Sequence, residues 1–413
     1  MAAQNSSVNS PFIPSETILQ RYATVFTQFG LHGGAGMRPG ESVRLVLPEF
    51  ALPLYLPLQA AILKAGGNLV LEFRPEGAER QLLDLGDDQQ LTFFLDDSQR
   101  ELAANLDHSI TLKGAANPHE LDGYDPQKIM TLNEVQRRIL RKWLYPKEQL
   151  GHFSWSLGLY GTEAMAAEVG MTLKDYWGHI ISACFLDEAD PVAEWRRVTA
   201  EMDRVKLCLN ELDMDRLHIE SDDGIDLWVK LGAHRQWITC SGRNIPSYEI
   251  FISPDWRGTE GVVVYNQPVY YNGTVMTGIR LVFNNGRVVE AHADQNEALL
   301  KAMLAKPNAD KVGEFSLTDK RLSRILVPMG QTLYDENLGG PFGNTHLAVG
   351  RCYIDSYAGD VSQVSRDELL ALGFNDPSCE VHTDMISTSN RTVTAVWPDK
   401  PSKIIYANGE LAV

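Results

Sequence analysis

The last third of the chain carries a series of carboxylates and imidazoles whose types and spacing suit metal chemistry. Glu249 closes the segment Asn244-Ile245-Pro246-Ser247-Tyr248-Glu249, Glu314 follows Gly313, and Glu336 sits in Asp335-Glu336-Asn337. His346 lies in Thr345-His346-Leu347-Ala348-Val349-Gly350, and His382-Thr383-Asp384 adds a second imidazole and another acid. Imidazole nitrogens and carboxylate oxygens are the donors that zinc, cobalt, manganese and iron(II) accept. Catalytic centres use about three protein donors and keep a position open. A strand sends alternate side chains to one face, so a strand over 379–386 would aim His382 and Asp384 at a single ion. Isolated H-x-D pairs also occur as solvated strand ends, so this pair takes its meaning from the other donors.

The N-x-P-x-x-E box, the Gly-Glu pair, the D-E-N turn, the T-H-L-A-x-G segment with Tyr353 behind it and the closing H-x-D occur in a fixed order. In that order the chain resembles the aminopeptidase T and aminopeptidase S family of thermophilic metallopeptidases, from residue 20 to the end. The strongest boxes lie between Asn244 and Ile386. The resemblance implies a pair of divalent cations (zinc, cobalt or manganese) held by Glu249, Glu314, His346, His382 and Asp384. It further implies Glu314, Glu336 and Tyr353 as catalytic residues, an α/β catalytic domain and a homodimer. Residues 338–345 separate the D-E-N turn from His346 by more than the family pattern does. The glycines and Pro341 in that insertion suit a tight loop.

Chemistry and resemblance point the same way. Two neighbouring cations polarise a carbonyl and lower the pKa of a water to about 7. Glutamates beside them can carry a proton from that water to a leaving amine. Tyr353 can donate a hydrogen bond to charge that develops in the transition state, although taken alone it reads more readily as a packed core tyrosine. Removal of N-terminal residues from peptides is the expected activity. The superfamily resemblance also extends to dihydroxypyridine dioxygenases, which bind one Fe(II) through two histidines and an aspartate; His346, His382 and Asp384 could form that triad. A mononuclear centre gives Glu249 and Glu314 no evident task, and a non-catalytic binding protein has no need of the whole set. Asn244, Thr345 and Thr383 are candidates for orienting the donors.

The elements that must position these residues follow an α/β grammar. Residues 42–48 read as a strand, 52–65 as a helix ended by Gly66-Gly67, and 68–73 as the next strand, a β-α-β unit with a parallel sheet. The middle reads as mostly helical, with a helix over 132–143 and another opening at Asp190-Pro191, where aspartate caps and proline takes the first helical position. Its Trp195 stripe reads as core or domain interface. From Arg216 the pattern turns to strands, with a hairpin across Asn284-Asn285-Gly286 and a helix over 295–305. The expected architecture is two-domain α/β: residues 1–214 as a β-α-β and helical domain, and residues 215–413 as a mixed α/β metal-binding catalytic domain.

Composition sets outer bounds. A chain of 413 residues with 44% hydrophobic and 22% charged residues has ample material for more than one core. The formal net charge of -17 argues against nucleic acid or anionic membrane as partners and leaves a peptide or small-molecule substrate. Five cysteines without a C-x-x-C pair indicate neither a disulfide framework nor a zinc knuckle. Residues 1–14 lack the marks of a secretory signal and no apolar run is long enough to span a bilayer, so the cytoplasm is the expected compartment. The Gly-rich stretch His32-Gly33-Gly34-Ala35-Gly36 lacks nucleotide-binding spacing. His292-Ala293-Asp294 repeats the H-x-D spacing without a matching box. The other histidines, His32 and His108 among them, read as isolated, and Asp187, Glu188 and Asp190 as a solvated acidic cluster.

Overall fold

The computed structural model describes residues 12–239, 242–271 and 274–413. Cys240 and nearly all of the polar N-terminal segment lie outside them. Strand Ser42–Pro48 buries Val43, Leu45 and Leu47 completely. It pairs in parallel with Asn68–Arg74 on one side and His108–Lys113 on the other. Between the first two strands the chain forms a 3-10 turn, Glu49–Leu54, and a helix, Tyr55–Lys64. Pro53 falls in the turn and Pro57 in the helix's first turn, where a missing N–H removes no helical hydrogen bond. The expected β-α-β unit is therefore present, with a shorter helix.

The middle of the chain is less uniformly helical than its sequence suggests. Strand Ser154–Leu159 pairs with His108–Lys113, and the two-residue strand Asn244–Ile245 then completes a five-stranded parallel sheet. Serine and glycine in Ser154-Trp155-Ser156-Leu157-Gly158-Leu159 carry little strand propensity, and neighbours on both sides impose the conformation. The helix Pro191–Glu211 starts as expected, with the Asp190 carboxylate accepting the Ala193 N–H at 3.0 Å. Asp187 and Glu188 are not merely solvated: both pair with Arg324, at 3.2 and 2.8 Å.

Beyond Arg216 the strands other than Asn244–Ile245 are antiparallel. An eight-stranded sheet includes the hairpin Ile279–Asn284/Arg287–His292, whose turn residues Asn285 and Gly286 both take positive φ. A five-stranded sheet runs His382–Ser387, Asn344–Gly350, Val312–Thr318, Glu249–Ile252, Ile238–Thr239. One continuous apolar core joins these sheets to the N-terminal layer. At its centre the buried Trp195 ring lies 5.5 Å from Phe29, 5.1 Å from Phe185 and 5.3 Å from Tyr248. Tyr248 adjoins Glu249, so this aromatic cluster anchors a candidate donor to the helical layer. Among the described residues no helix is long and apolar enough to cross a membrane.

The turn that launches the His382 strand is held by one carboxylate. Arg366 donates two hydrogen bonds to Asp376, at 3.0 and 2.6 Å, and the Ser378 N–H and hydroxyl add two more at 2.9 and 2.6 Å. The Arg366 hydrogen bonds outweigh burial and hold the Asp376 carboxyl down at about 2. Its folded pKa thus lies below the unfolded value of about 3.9, so the stabilisation is complete above that range and is lost on acidification. Asp376→Asn should cost about 1–3 kcal/mol of unfolding free energy at pH 7. Urea titrations from pH 7 to 3 should show the gap to the wild type constant in the upper part of the range and shrinking below about pH 4.

Candidate metal centre

Four neighbouring strands of the five-stranded sheet present the proposed donors on one face. The register sets His346 opposite Ser316, Ala348 opposite both Glu314 and Asp384, Gly350 opposite His382, and Glu249 opposite Thr318. Alternation puts Glu314, Ser316 and Thr318 on one side of their strand, and His346, Ala348 and Gly350 on the same side of theirs. The positions between donors are thus small residues, which leaves the face open where the large side chains converge.

The resulting distances define two overlapping groups. His346 Nε2 lies 3.2 Å from Glu249 Oε2, 3.2 Å from Glu314 Oε1 and 3.9 Å from Asp384 Oδ1. His382 Nε2 lies 3.4 Å from Glu314 Oε2 and 3.4 Å from Asp384 Oδ1. Glu249, Glu314 and His346 form one set and Glu314, His382 and Asp384 the other, each with donor atoms within 4.8 Å of one another. Glu314 belongs to both. His382 Nδ1 donates to the Arg351 carbonyl at 2.7 Å, which fixes the tautomer and leaves Nε2 facing the acids. The Ser316 hydroxyl donates to Glu249 at 3.3 Å.

Burial and mutual charge shape the protonation of this set. Burial would lower the His382 imidazole, but the Asp384 charge and the hydrogen bonds to both acids raise it to about 10. Burial would raise the Asp384 carboxyl, and His382 instead holds it at about 2. His346 is raised, against its burial, by Glu249 and Glu314. Glu249 and Glu336 are raised first by burial, and Glu336 also by the charges of Glu249 and Asp384. The cluster thus retains protons where a cation would relieve the same charge, and buried carboxylates need such a partner. The donor set fits divalent metal ions. His346 Nδ1 is buried without a hydrogen-bond partner among the described residues.

The D-E-N turn places Glu336 beside this set. Asp335 accepts the Met329 and Gln331 amides at 2.6 and 3.1 Å and shapes the loop; burial lifts its carboxyl to about 7. Asn244 Nδ2 donates to Glu336 at 3.3 Å, while Asn337 Oδ1 accepts the Tyr248 N–H at 2.5 Å. Of residues 338–345, 338–343 fold back as a tight loop and 344–345 already belong to the strand Asn344–Gly350. Gly343 at φ 59 lies where a Cβ would meet Thr318 O at 2.4 Å, and Asn344 Nδ2 donates to Leu338 O at 2.7 Å. The insertion therefore leaves Glu336 in the cavity wall. Tyr353 faces the same cavity, its ring edge-on to His382 at 4.9 Å and to Phe251 at 5.6 Å. Burial, then the Glu314 charge, keeps its phenol protonated.

Of the three proposed orienting residues only Asn244 reaches the set. Thr345 and Thr383 alternate with His346, His382 and Asp384, so they face the other side of the sheet, where they meet Arg391 and the Met303 sulfur. Cys352 and Cys379 bond to the Asn375 and Pro307 carbonyls and do not line the cavity. The His292 pair stays on the surface, with Glu297 at 2.6 Å and Asp294 at 3.4 Å. Sequence reasoning missed Trp155 and Arg243, which close the cavity from the parallel sheet and its connection, and Thr239, which lines it from the edge strand of the donor sheet itself. Arg243 pairs with Glu148 at 2.9 Å and with Asp355. No local motif marks these residues. His32 and His108, read as isolated, meet at Glu41.

A buried set of imidazoles and carboxylates on one sheet face, walled by a second layer, has the donor chemistry of a metallohydrolase. The chain belongs to the thermophilic metalloprotease family M29, whose model matches residues 15–411. Aminopeptidase PepS of Streptococcus thermophilus is 24% identical over 96% of this chain and 98% of its own length. Aminopeptidase 2 of Geobacillus stearothermophilus is 27% identical with the same coverage. The solved structure of wild-type AmpT from Thermus thermophilus shares the fold, with a TM-score of 0.82 at 21% identity over 96% of this chain and 99% of that one.

Asn337 is fully buried and ties the Glu336 turn to Tyr248. Asn337→Ala leaves the Tyr248 amide without its acceptor and should cost about 1–3 kcal/mol in chemical denaturation. Unchanged stability would show that this tie is dispensable.

Proposed function

We propose that this metal-dependent aminopeptidase removes N-terminal residues from peptides at the cavity above Glu314, with Glu249, Glu314, His346, His382 and Asp384 holding two divalent cations, zinc, cobalt or manganese. The observation that carries the reading is the position of Glu314. Its Oε1 lies 3.2 Å from one imidazole and its Oε2 3.4 Å from the other, so one carboxylate serves two donor sets. When bound, such a cation pair supplies a water of lowered pKa and a Lewis acid for the scissile carbonyl.

The chain's own residues supply the rest. Glu336, buried and facing the donors, is suited to take the water's proton and pass it to the departing amine. Tyr353, a neutral phenol held between His382 and Phe251, donates a hydrogen bond to the oxyanion as the carbonyl becomes tetrahedral. The donor cavity, about 70 Å³, has room for ions and water but not for a peptide. An adjoining cleft of about 270 Å³, which shares His382 and Asp384 and is lined by Tyr270, Tyr271 and Lys306, takes the remainder of the substrate. A chain lying in the cleft brings its end to the donor cavity, whose acids suit a free amino terminus. That geometry supports cleavage at the first residue.

A mononuclear iron(II) dioxygenase on His346, His382 and Asp384 fits less well, because Glu249 and Glu314 stand 3.2 Å from His346 where such a centre keeps open positions. The buried free thiols Cys184, Cys352 and Cys379 suit a reducing compartment, for which we take the cytoplasm. The homodimer rests on the family resemblance alone.

Glu314→Ala and His382→Ala should each lower leucyl-peptide turnover by at least about 10³-fold with the circular dichroism spectrum preserved. Full turnover by both variants would remove this site from consideration. Tyr353→Phe should lower kcat by about 10²–10³ with KM little changed, and an unaltered kcat would deny the tyrosine its role.

A further inference from the structure

A second meeting of imidazoles and carboxylate lies in the parallel sheet layer, in residues that peptide hydrolysis does not use. His32 Nε2 is 2.7 Å from Glu41 Oε1, and His108 Nε2 is 2.9 Å from Glu41 Oε2. The two rings stand edge to face at 4.5 Å. The sheet brings them together: strand Ser42–Pro48 pairs Val43 with His108, so the residue before that strand, Glu41, lies beside the start of the next one. His108 is wholly buried, while the side chains of His32 and Glu41 keep 22% and 18% of their exposure.

We propose that His32, Glu41 and His108 form a further metal site, separate from the catalytic centre, which binds a borderline divalent cation of the zinc type. Two imidazoles and a carboxylate are a zinc donor set with one position left for water. The surrounding contacts resemble those that orient metal ligands. The Ser154 hydroxyl oxygen accepts the His32 backbone N–H at 3.0 Å and lies 2.9 Å from His108 Nδ1. It can therefore hold His108 Nδ1 as N–H and leave the Nε2 lone pair toward Glu41. The Arg38 N–H donates to Glu41 Oε2 at 2.6 Å and fixes the carboxylate.

Bonds of about 2.0–2.1 Å in a tetrahedron place two donors roughly 3.3 Å apart. The present 2.7 and 2.9 Å separations must open by about half an ångström to admit the ion. His32 is placed to yield. It is partly exposed, lies at φ 50, and is followed by Gly33 at φ 62 and Gly34 at φ 95. The ion would staple the segment between the helix Glu16–Gln28 and strand Ser42–Pro48 onto the strands that begin at His108 and Ser154.

The test compares zinc content per full-length chain, after zinc loading and gel filtration, for the wild type, His32→Asn and Glu41→Gln. The wild type should hold one zinc more than either variant, and leucyl-peptide hydrolysis should stay within about twofold. Equal zinc content in all three overturns the proposal. If a variant loses its circular dichroism spectrum, an anomalous difference map of zinc-loaded wild-type crystals decides. A peak between the Nε2 atoms of His32 and His108 supports the site, and its absence overturns it. Neither readout depends on peptide turnover, so failure here is distinguishable from failure of the catalytic assignment.

Discussion

Placing Glu249, Glu314, Glu336 and Asp384 together inside the protein is the constraint on which the rest of the site depends. Buried carboxylates repel one another in a medium that screens poorly, and they persist only with positive partners. His346 and His382 face these acids and offset part of that charge, and divalent cations would do so more fully. The sheet is built around this need. Four antiparallel strands deliver the donors to one face, and Ser316, Ala348 and Gly350 keep the positions between them small.

The second constraint is that the donor face must be closed without being filled. The parallel sheet does this at a distance in sequence: its last strand, Asn244–Ile245, leads directly to Glu249, and Trp155 and Arg243 form the opposite wall. Tyr248 carries the link inward to Trp195 and Phe185, so the helical layer, the parallel sheet and the donor sheet share one packed junction. Packing therefore fixes the donor geometry through ordinary core contacts.

Parts of this arrangement can be read from the chain. Strand alternation aims His382 and Asp384 at one face, and the residues alone suffice for that step. The same rule excludes Thr345 and Thr383, which sit one residue out of phase, and applying it consistently would have removed them. Glu249, Glu314 and His346 lie 65 and 32 residues apart in sequence, so only the family resemblance joins them before the sheet register does. Arg243 and Trp155 carry no local signature, because their role arises from the contact between two layers. His32 and His108 looked isolated for the same reason: parallel pairing across a β-α-β crossover makes neighbours of strand starts that sequence distance hides. Strand Ser154–Leu159 was illegible because its serines and glycine follow its neighbours rather than their own propensity.

The most direct test of the account is amino acid release from leucyl peptides by metal-free protein as cobalt, zinc or manganese is added, with oxygen consumption recorded in the same vessel. The account predicts release that depends on the added metal and proceeds equally with oxygen excluded. No release at any metal load, together with oxygen uptake on a hydroxylated pyridine once iron(II) is supplied, would contradict it.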